Sequence, residues 1–432
     1  MSETIIRGGT VVDPANGIHG RHDVVVRDGV IAALLRADAD DGGAAESIDA
    51  SGCLVVPGLI DIHVHLREPG YEYKETVESG TRAAVAGGFT SVACMANTNP
   101  VNDSAAVTDY IRERAAAAAL ARVFPIGAVS KGLKGEELAE IGEMQRAGIV
   151  AVSDDGMPIM NGGLMRRALE YTSMFGLPVI VHEEERTIAG EGVMNEGTLS
   201  LRLGLKGVHA AAEEAMIARD IALLERTGGR LHIAHLSTAG SVDLVRAAKQ
   251  RGLAVSAEAS PHHFSLTEDA VDGYNTNAKM NPPLRTACDV EAVRRGLHDG
   301  TIEVIATDHA PHHRDEKEVE FDVAANGIVG LETALPLALR LTEECGIPLA
   351  TIVAAMTVNP ARILRLPHGT LSAGAAADIT VIDPARRWTV EAARFKSKSR
   401  NTPFEGMQMQ GQAVLTMVGG RIVWRADAVG GA

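Results

Sequence analysis

Two histidines two positions apart, His63 and His65, close a short apolar run, and in an extended segment that spacing puts both imidazoles on one face. Other short apolar runs end in, or are followed by, ligand-type residues: Asn97, the pair Asp154 and Asp155, His182, His235 and Asp308. Neutral imidazole and carboxylate suit zinc and similar divalent ions, and a catalytic site of this kind leaves a position open for water. Four histidines and two aspartates suffice for two ions if one carboxylate bridges them. Activated water beside a polarised carbonyl is the chemistry of hydrolysis, or of its reverse. Periodicity does not separate Asp154 from Asp155 as the bridge.

Alternation sorts the remaining histidines. His232 lies an odd three positions before His235, so the two should face opposite ways; His235 is assigned to the site and His232 to the structure. The same rule sends Ile62 and Val64 outward. His262 and His263 lie near the rim, and His309 should point away from Asp308. His312 sits on the following loop, where substrate contact is expected. The charged stretch between His312 and Asn326, with few apolar anchors, is either a lid or a solvated surface loop.

Positioning such residues requires a scaffold that gathers strand ends. Eight short apolar runs, at 59–66, 90–95, 123–129, 149–153, 177–181, 231–235, 254–258 and 304–307, alternate with helical periodicity at 77–86, 137–147, 165–175, 211–226, 242–251 and 290–297. Eight βα units predict an α/β protein with a (β/α)8 barrel, whose catalytic groups come from the C-terminal ends of the strands. An open doubly wound sheet is the alternative, and no glycine-rich phosphate fingerprint supports it. Both termini instead read as strands broken by turns. The expected organisation is a catalytic barrel over 58–366 and a small composite β-sandwich from 1–57 and 367–432.

Composition narrows the partners. With 432 residues, 46% of them hydrophobic, the chain can bury a large core, and a net charge of −15 without basic runs argues against nucleic acid and anionic membranes. Aromatic residues make up only 3%, too few for a base-stacking platform along a strand. The 4 cysteines are scattered, as expected of reduced thiols in a cytoplasmic protein. The beginning of the chain lacks a signal-peptide pattern, and no apolar run reaches spanning length. A small anionic substrate would need a local cationic pocket.

Five motifs stand out: Pro57-Gly58-Leu59-Ile60-Asp61-Ile62-His63-Val64-His65-Leu66-Arg67-Glu68-Pro69-Gly70, Ser153-Asp154-Asp155-Gly156, His235-Leu236-Ser237-Thr238, Met280-Asn281-Pro282-Pro283-Leu284-Arg285 and Ala306-Thr307-Asp308-His309-Ala310-Pro311-His312. In these the chain resembles bacterial-type dihydroorotases of the amidohydrolase superfamily. The resemblance implies two zinc ions, one held by His63, His65 and Asp308 and one by His182 and His235, with Asp155 bridging and Asp308 carrying the catalytic proton. It further implies that Arg67, Asn97 and His312 bind a substrate carboxylate, that His65 lies against the substrate, that Asn281 contacts its ring, and that Asn326 and Gly327 offer backbone contacts. The implied activity is the reversible cyclisation of N-carbamoyl-L-aspartate to L-dihydroorotate, with homo-oligomers and an association with aspartate transcarbamoylase as expected assemblies. Glu183 and Ala96 depart from the family pattern, which usually has Cys and Pro there. Two rivals remain: another cyclic-amide hydrolase, such as an allantoinase or hydantoinase, and a non-catalytic scaffold subunit of aspartate transcarbamoylase. Many hydantoinase-type relatives bridge their metals with a carbamylated lysine, and no Lys occurs here between Lys134 and Lys206.

Overall fold

The computed structural model describes residues 3–36 and 46–427. Each of the eight apolar runs contributes a parallel strand: β1 (Leu59–Val64), β2 (Phe89–Cys94), β3 (Arg122–Pro125), β4 (Val152–Ser153), β5 (Val179–Val181), β6 (Leu231–Ile233), β7 (Val255–Ala259) and β8 (Val304–Ile305). The first three pair in order, as do the last five. Bridges from Gly127 to Val152 and from Val64 to His309 join the two arcs, closing the ring expected of a (β/α)8 barrel. A helix follows each strand: α1 (Val77–Ala86), α2 (Ala105–Ala118), α3 (Ile141–Ala147), α4 (Gly162–Ser173), α5 (Ala211–Thr227), α6 (Ala239–Gln250), α7 (Ala287–Asp299) and α8 (Ala334–Glu344). Helices α2 and α8 are the two of these that the sequence reading does not announce; in α2 an alanine run blurs the contrast between its faces.

Local chemistry sets the helix starts. Thr76 accepts from the Ser79 amide at 3.1 Å while the Ser79 hydroxyl accepts from the Thr76 amide at 3.0 Å, a reciprocal cap at the head of α1. Just before it, Glu68 accepts from the Val77 amide at 2.8 Å and from Arg114 of α2 at 2.7 Å, tying the loop after β1 to the first two helices.

The barrel interior is filled by Ile60, Ile62, Ala93, Met95, Ile126, Ala151, Ile180, Ala234, Val304 and Ala306, with Ala361, Ile363 and Leu364 packed against them. Ile62 therefore points inward, against the expectation from strict alternation. The register between β1 and β2 slips between Asp61 and Val64, a bulge that lets Ile62 and His63 both face the interior before Val64 resumes the helix-facing side.

Strands from both ends of the chain form one nine-stranded sheet, in the order 421–425, 408–418, 379–389, 54–57, 10–13, 18–27, 3–7, 46–49, with 30–36 paired to 18–27. The seam is strand Leu54–Pro57, parallel to Thr10–Asp13 on one side and antiparallel to Ile379–Thr389 on the other. Its core joins Ile6, Val11, Val24 and Ile31 to Ile379, Val381, Leu415 and Met417, so the sheet curls around residues contributed by both termini. Asp378 fastens it to the barrel: its carboxylate accepts from Arg122 of β3 at 2.9 and 3.1 Å. Among the described residues, no helix is long and apolar enough to cross a membrane.

Candidate active site

The strand ends gather six ligand-type side chains, all buried: His63, His65, Asp155, His182, His235 and Asp308. Nε2 of His63 lies 3.4 Å from Asp155 Oδ1 and 3.4 Å from Asp308 Oδ1. Nε2 of His65 lies 3.0 Å from Asp308 Oδ1 and 3.5 Å from Asp155 Oδ2. Across the site, Nδ1 of His182 faces Nε2 of His235 at 3.0 Å, and the two lie 3.8 and 3.5 Å from Asp155 Oδ1. Asp155 is thus the residue common to both groups. Asp154 is turned away, accepting from the amides of Val129 and Ser130 at 2.8 and 3.0 Å, which separates the two aspartates as the sequence could not.

Backbone conformation does part of the aiming. Arg67, His235 and Asp308 have φ of 63°, 34° and 48°, left-handed values uncommon outside glycine and often found where function over-determines the chain. At His235 this overturns the parity argument. The turn brings His235 into the site although His232 is also interior, one layer beneath, with its Nε2 3.0 Å from Glu258 and its Nδ1 2.8 Å from Ser256 Oγ.

Glu258 is the residue that sequence reasoning misses. It is fully buried and accepts from His63 Nδ1 at 2.6 Å while contacting His232, so it fixes the His63 ring with Nε2 aimed at the site. Its signal is an acid in a strand whose alternate residues Val255, Ala257 and Ala259 pack toward the helices. Asn97 does the same for His65, whose Nδ1 lies 2.9 Å from Asn97 Oδ1.

Electrostatics and satisfaction both favour cations at this cluster. His63 Nε2 and Asp155 Oδ1 are buried with no hydrogen-bond partner, a costly state that a bound ion relieves. Burial alone would raise the carboxyls of Asp155 and Asp308, yet His63 and the other site histidines hold both well below the usual carboxylate range. Glu258, opposed by burial in the same way, is held down to about 2, chiefly by His63. Although burial opposes it, the carboxylates of Asp155, Asp308 and Glu258 raise the His63 imidazole well above its ordinary value, so the cluster attracts positive charge, whether a proton or a metal ion. The triplets His63–Asp155–His235 and His63–His65–Asp308 each have the proximity needed to hold a metal ion, so the donor set fits.

A cavity of about 180 Å³ opens on the cluster, lined by His65, Asn97, Asp155, His182, His235 and Asp308 together with Arg67, Asn281, His312 and Asn326. Arg67 donates to the Pro311 carbonyl at 3.1 Å and lies 3.4 Å from His312 Nε2. Burial, then Arg67, Lys74 and Lys317, push the His312 imidazole down to about 2, so it is neutral. Asn281 donates to Glu184 at 2.6 Å and lies 3.2 Å from His182 Nε2.

Gly327 does not line the cavity, contrary to the backbone contact expected of it. Its N–H donates to the Lys279 backbone carbonyl and its carbonyl accepts from the side chains of Lys317 and Asn401. Its contribution is room: a Cβ there would lie 2.6 Å from the His312 ring. The stretch after His312 carries anchors that composition hides, since Phe321 and Ala324 are buried and Lys317 is 3% exposed. Glu183 is buried beside Asp220, with burial and that neighbour raising its carboxyl well above its ordinary value. His309 turns outward, its Nε2 3.4 Å from Glu75. His262 and His263 are buried behind the site, His263 Nε2 donating to the Pro282 carbonyl at 2.9 Å.

Known proteins with this architecture and sequence are numerous. A family described as Dihydro-orotase-like matches residues 52–241, and the Amidohydrolase family matches residues 207–424. A dihydroorotase of Syntrophotalea carbinolica is 58% identical over 98% of this chain and 99% of its own, and one of Geobacter sp. is 57% identical over the same shares. Among solved structures, an L-hydantoinase from Arthrobacter aurescens superposes with a TM-score of 0.88 at 27% identity, covering 98% of this chain and 96% of the other. Full-length identity at this level, on a barrel whose strand ends gather one histidine and aspartate cluster, places the chain in the dihydroorotase family of cyclic amidohydrolases.

Proposed function

We propose that the protein interconverts L-dihydroorotate and N-carbamoyl-L-aspartate, using two zinc ions per chain. The observation that carries this reading is a single cavity lined by the histidine and aspartate cluster and also by Arg67 and His312, a cation and a neutral donor suited to a substrate carboxylate. His63, His65 and Asp308 would hold one ion, His182 and His235 the other, and Asp155 would bridge them. When bound, the ions supply an activated water and a Lewis acid for the amide carbonyl.

The chain's own groups do the rest. Asp308, ionised at neutral pH, takes the proton of the attacking water and hands it to the ring nitrogen as the carbon–nitrogen bond breaks. In ring closure it takes the proton from the ureido nitrogen. Arg67, Asn97 and His312 hold the carboxylate, Asn281 contacts the ring, Asn326 contributes backbone groups, and His65 packs beside the substrate. The same reading includes a cytoplasmic enzyme divided at 57 and 367, assembling as a homo-oligomer and associating with aspartate transcarbamoylase.

The test measures bound zinc and dihydroorotate hydrolysis for the wild type and Asp308→Asn in parallel. Two zinc ions in the wild type and a turnover about 10²–10⁴-fold lower in the variant are expected. Full activity in the variant removes the proton-transfer role. Faster hydrolysis of hydantoin or allantoin than of dihydroorotate replaces the substrate.

A further inference from the structure

On the outer side of His312 lies a second cavity, of about 410 Å³, lined by Tyr73, Thr276, Asn277, His312, His313, Arg314, Lys317, Glu318 and residues 398–401. It touches the substrate cavity only through His312, which lines both. Its volume falls within the range of about 300–1,000 Å³ usual for small-molecule sites.

The charge in it is one-sided. Glu318 is taken by Arg314, Glu316 is paired with Lys74 at 2.8 Å, and the exposed Asp315 is not among the residues lining the cavity. Among the described residues, Lys398 and Arg400 remain without a carboxylate within 4 Å, whereas burial and then Lys279 push the amine of the buried Lys317 down to about 7. Lys317 donates to the carbonyls of Ala325 at 2.7 Å and Gly327 at 3.2 Å, Lys398 to that of Glu72, and Arg400 to those of Ser397 and Ser399. Carbonyl dipoles hold Lys398 and Arg400 in place without neutralising them, so a positive pocket persists on a chain of net charge −15. Beside them Tyr73 is 53% exposed, its ring edge-on to His313 at 6.1 Å, which leaves an aromatic surface at the pocket's edge.

We propose that this cavity is a second binding site, for a nucleoside phosphate, with the phosphoryl group met by Lys398 and Arg400 and the base resting on Tyr73. Arg and Lys donors make their strongest hydrogen bonds to phosphoryl oxygens, and base-on-aromatic stacking is tolerant of base identity. Occupancy bears on the substrate site through His312. Lys74 lies 3.4 Å from its Nδ1 and Arg67 3.4 Å from its Nε2, so negative charge on the outer side weakens the field that holds a carboxylate on the inner side.

The test titrates zinc-loaded enzyme, pre-equilibrated with saturating dihydroorotate, with AMP by calorimetry, using adenosine and inorganic phosphate as controls. One AMP per chain is expected, at least tenfold tighter than either control, with KM for dihydroorotate raised severalfold and kcat unchanged. Tyr73→Ala should weaken AMP about tenfold, and Lys398→Ala with Arg400→Ala should abolish its binding while basal kinetics stay as in the wild type. The binding measurement stands whatever reaction the metal cluster performs. The idea is overturned if dihydroorotate displaces AMP completely, if the variants bind AMP as the wild type does, or if phosphate or adenosine binds as tightly as AMP.

Discussion

Glu258 and His63 form the contact on which the rest of the cluster leans. A buried carboxylate 2.6 Å from Nδ1 sets both the tautomer and the tilt of the ring, leaving the Nε2 lone pair directed at Asp155 and Asp308. Glu258→Gln keeps the volume and gives up the charge. Zinc affinity should fall about 10–100-fold, read by equilibrium titration against a chelator, and excess zinc should restore most of the activity. An unchanged affinity would reduce Glu258 to a structural acid. At this scale the sequence was legible where residue types at strand ends sufficed: His63, His65, His182 and Asp308 come together in one cluster. It was illegible where one backbone angle decides. A φ of 34° turns His235 inward, a bulge turns Ile62 inward, and two amide hydrogen bonds capture Asp154 and leave Asp155 for the site.

Strand and helix order could be read almost directly, because eight apolar runs separated by amphipathic stretches admit few other arrangements. Ends were less clear: the run at 123–129 yields a strand only over Arg122–Pro125, since Ile126 and Gly127 already bend toward the next bridge. Contacts between elements far apart in the chain were invisible, and Asp378 is the clearest case. Burial opposes its charge, but His368 at 3.2 Å, Arg122 of β3 and the Gly419 amide hold its carboxyl down to about 2. An unfolded Asp titrates near 3.9, so this group's contribution of about 2 kcal/mol is complete above pH ~4. It fades as the pH falls from about 4 to about 2. Asp378→Asn should therefore be less stable than wild type by about that amount at pH 7 in urea denaturation, with the two curves converging near pH 2. A constant gap across that interval would assign the loss to packing rather than charge.

For the whole molecule, the barrel and the terminal sheet are one cooperative object. Strand Leu54–Pro57 pairs with neighbours from both ends, and beside it Thr380 accepts from the Leu59 amide, 321 positions away, at 3.4 Å. Its hydroxyl also donates to the Gly88 carbonyl at 2.6 Å, so the seam rests on the base of the first two barrel strands. A chain ending at residue 366 retains every barrel strand and still loses the antiparallel partner of Leu54–Pro57. Such a fragment should be insoluble or aggregate on refolding, while co-expression of 367–432 as a separate piece should recover soluble material; a soluble, active fragment alone would refute the coupling.

The seam also sets a timetable. During synthesis the amino-terminal strands emerge first and wait, with one edge unpaired, until nearly the whole barrel has left the ribosome. The interval is when a chaperone has something to hold, and a ribosomal pause before residue 379 lengthens the exposure without altering the finished protein.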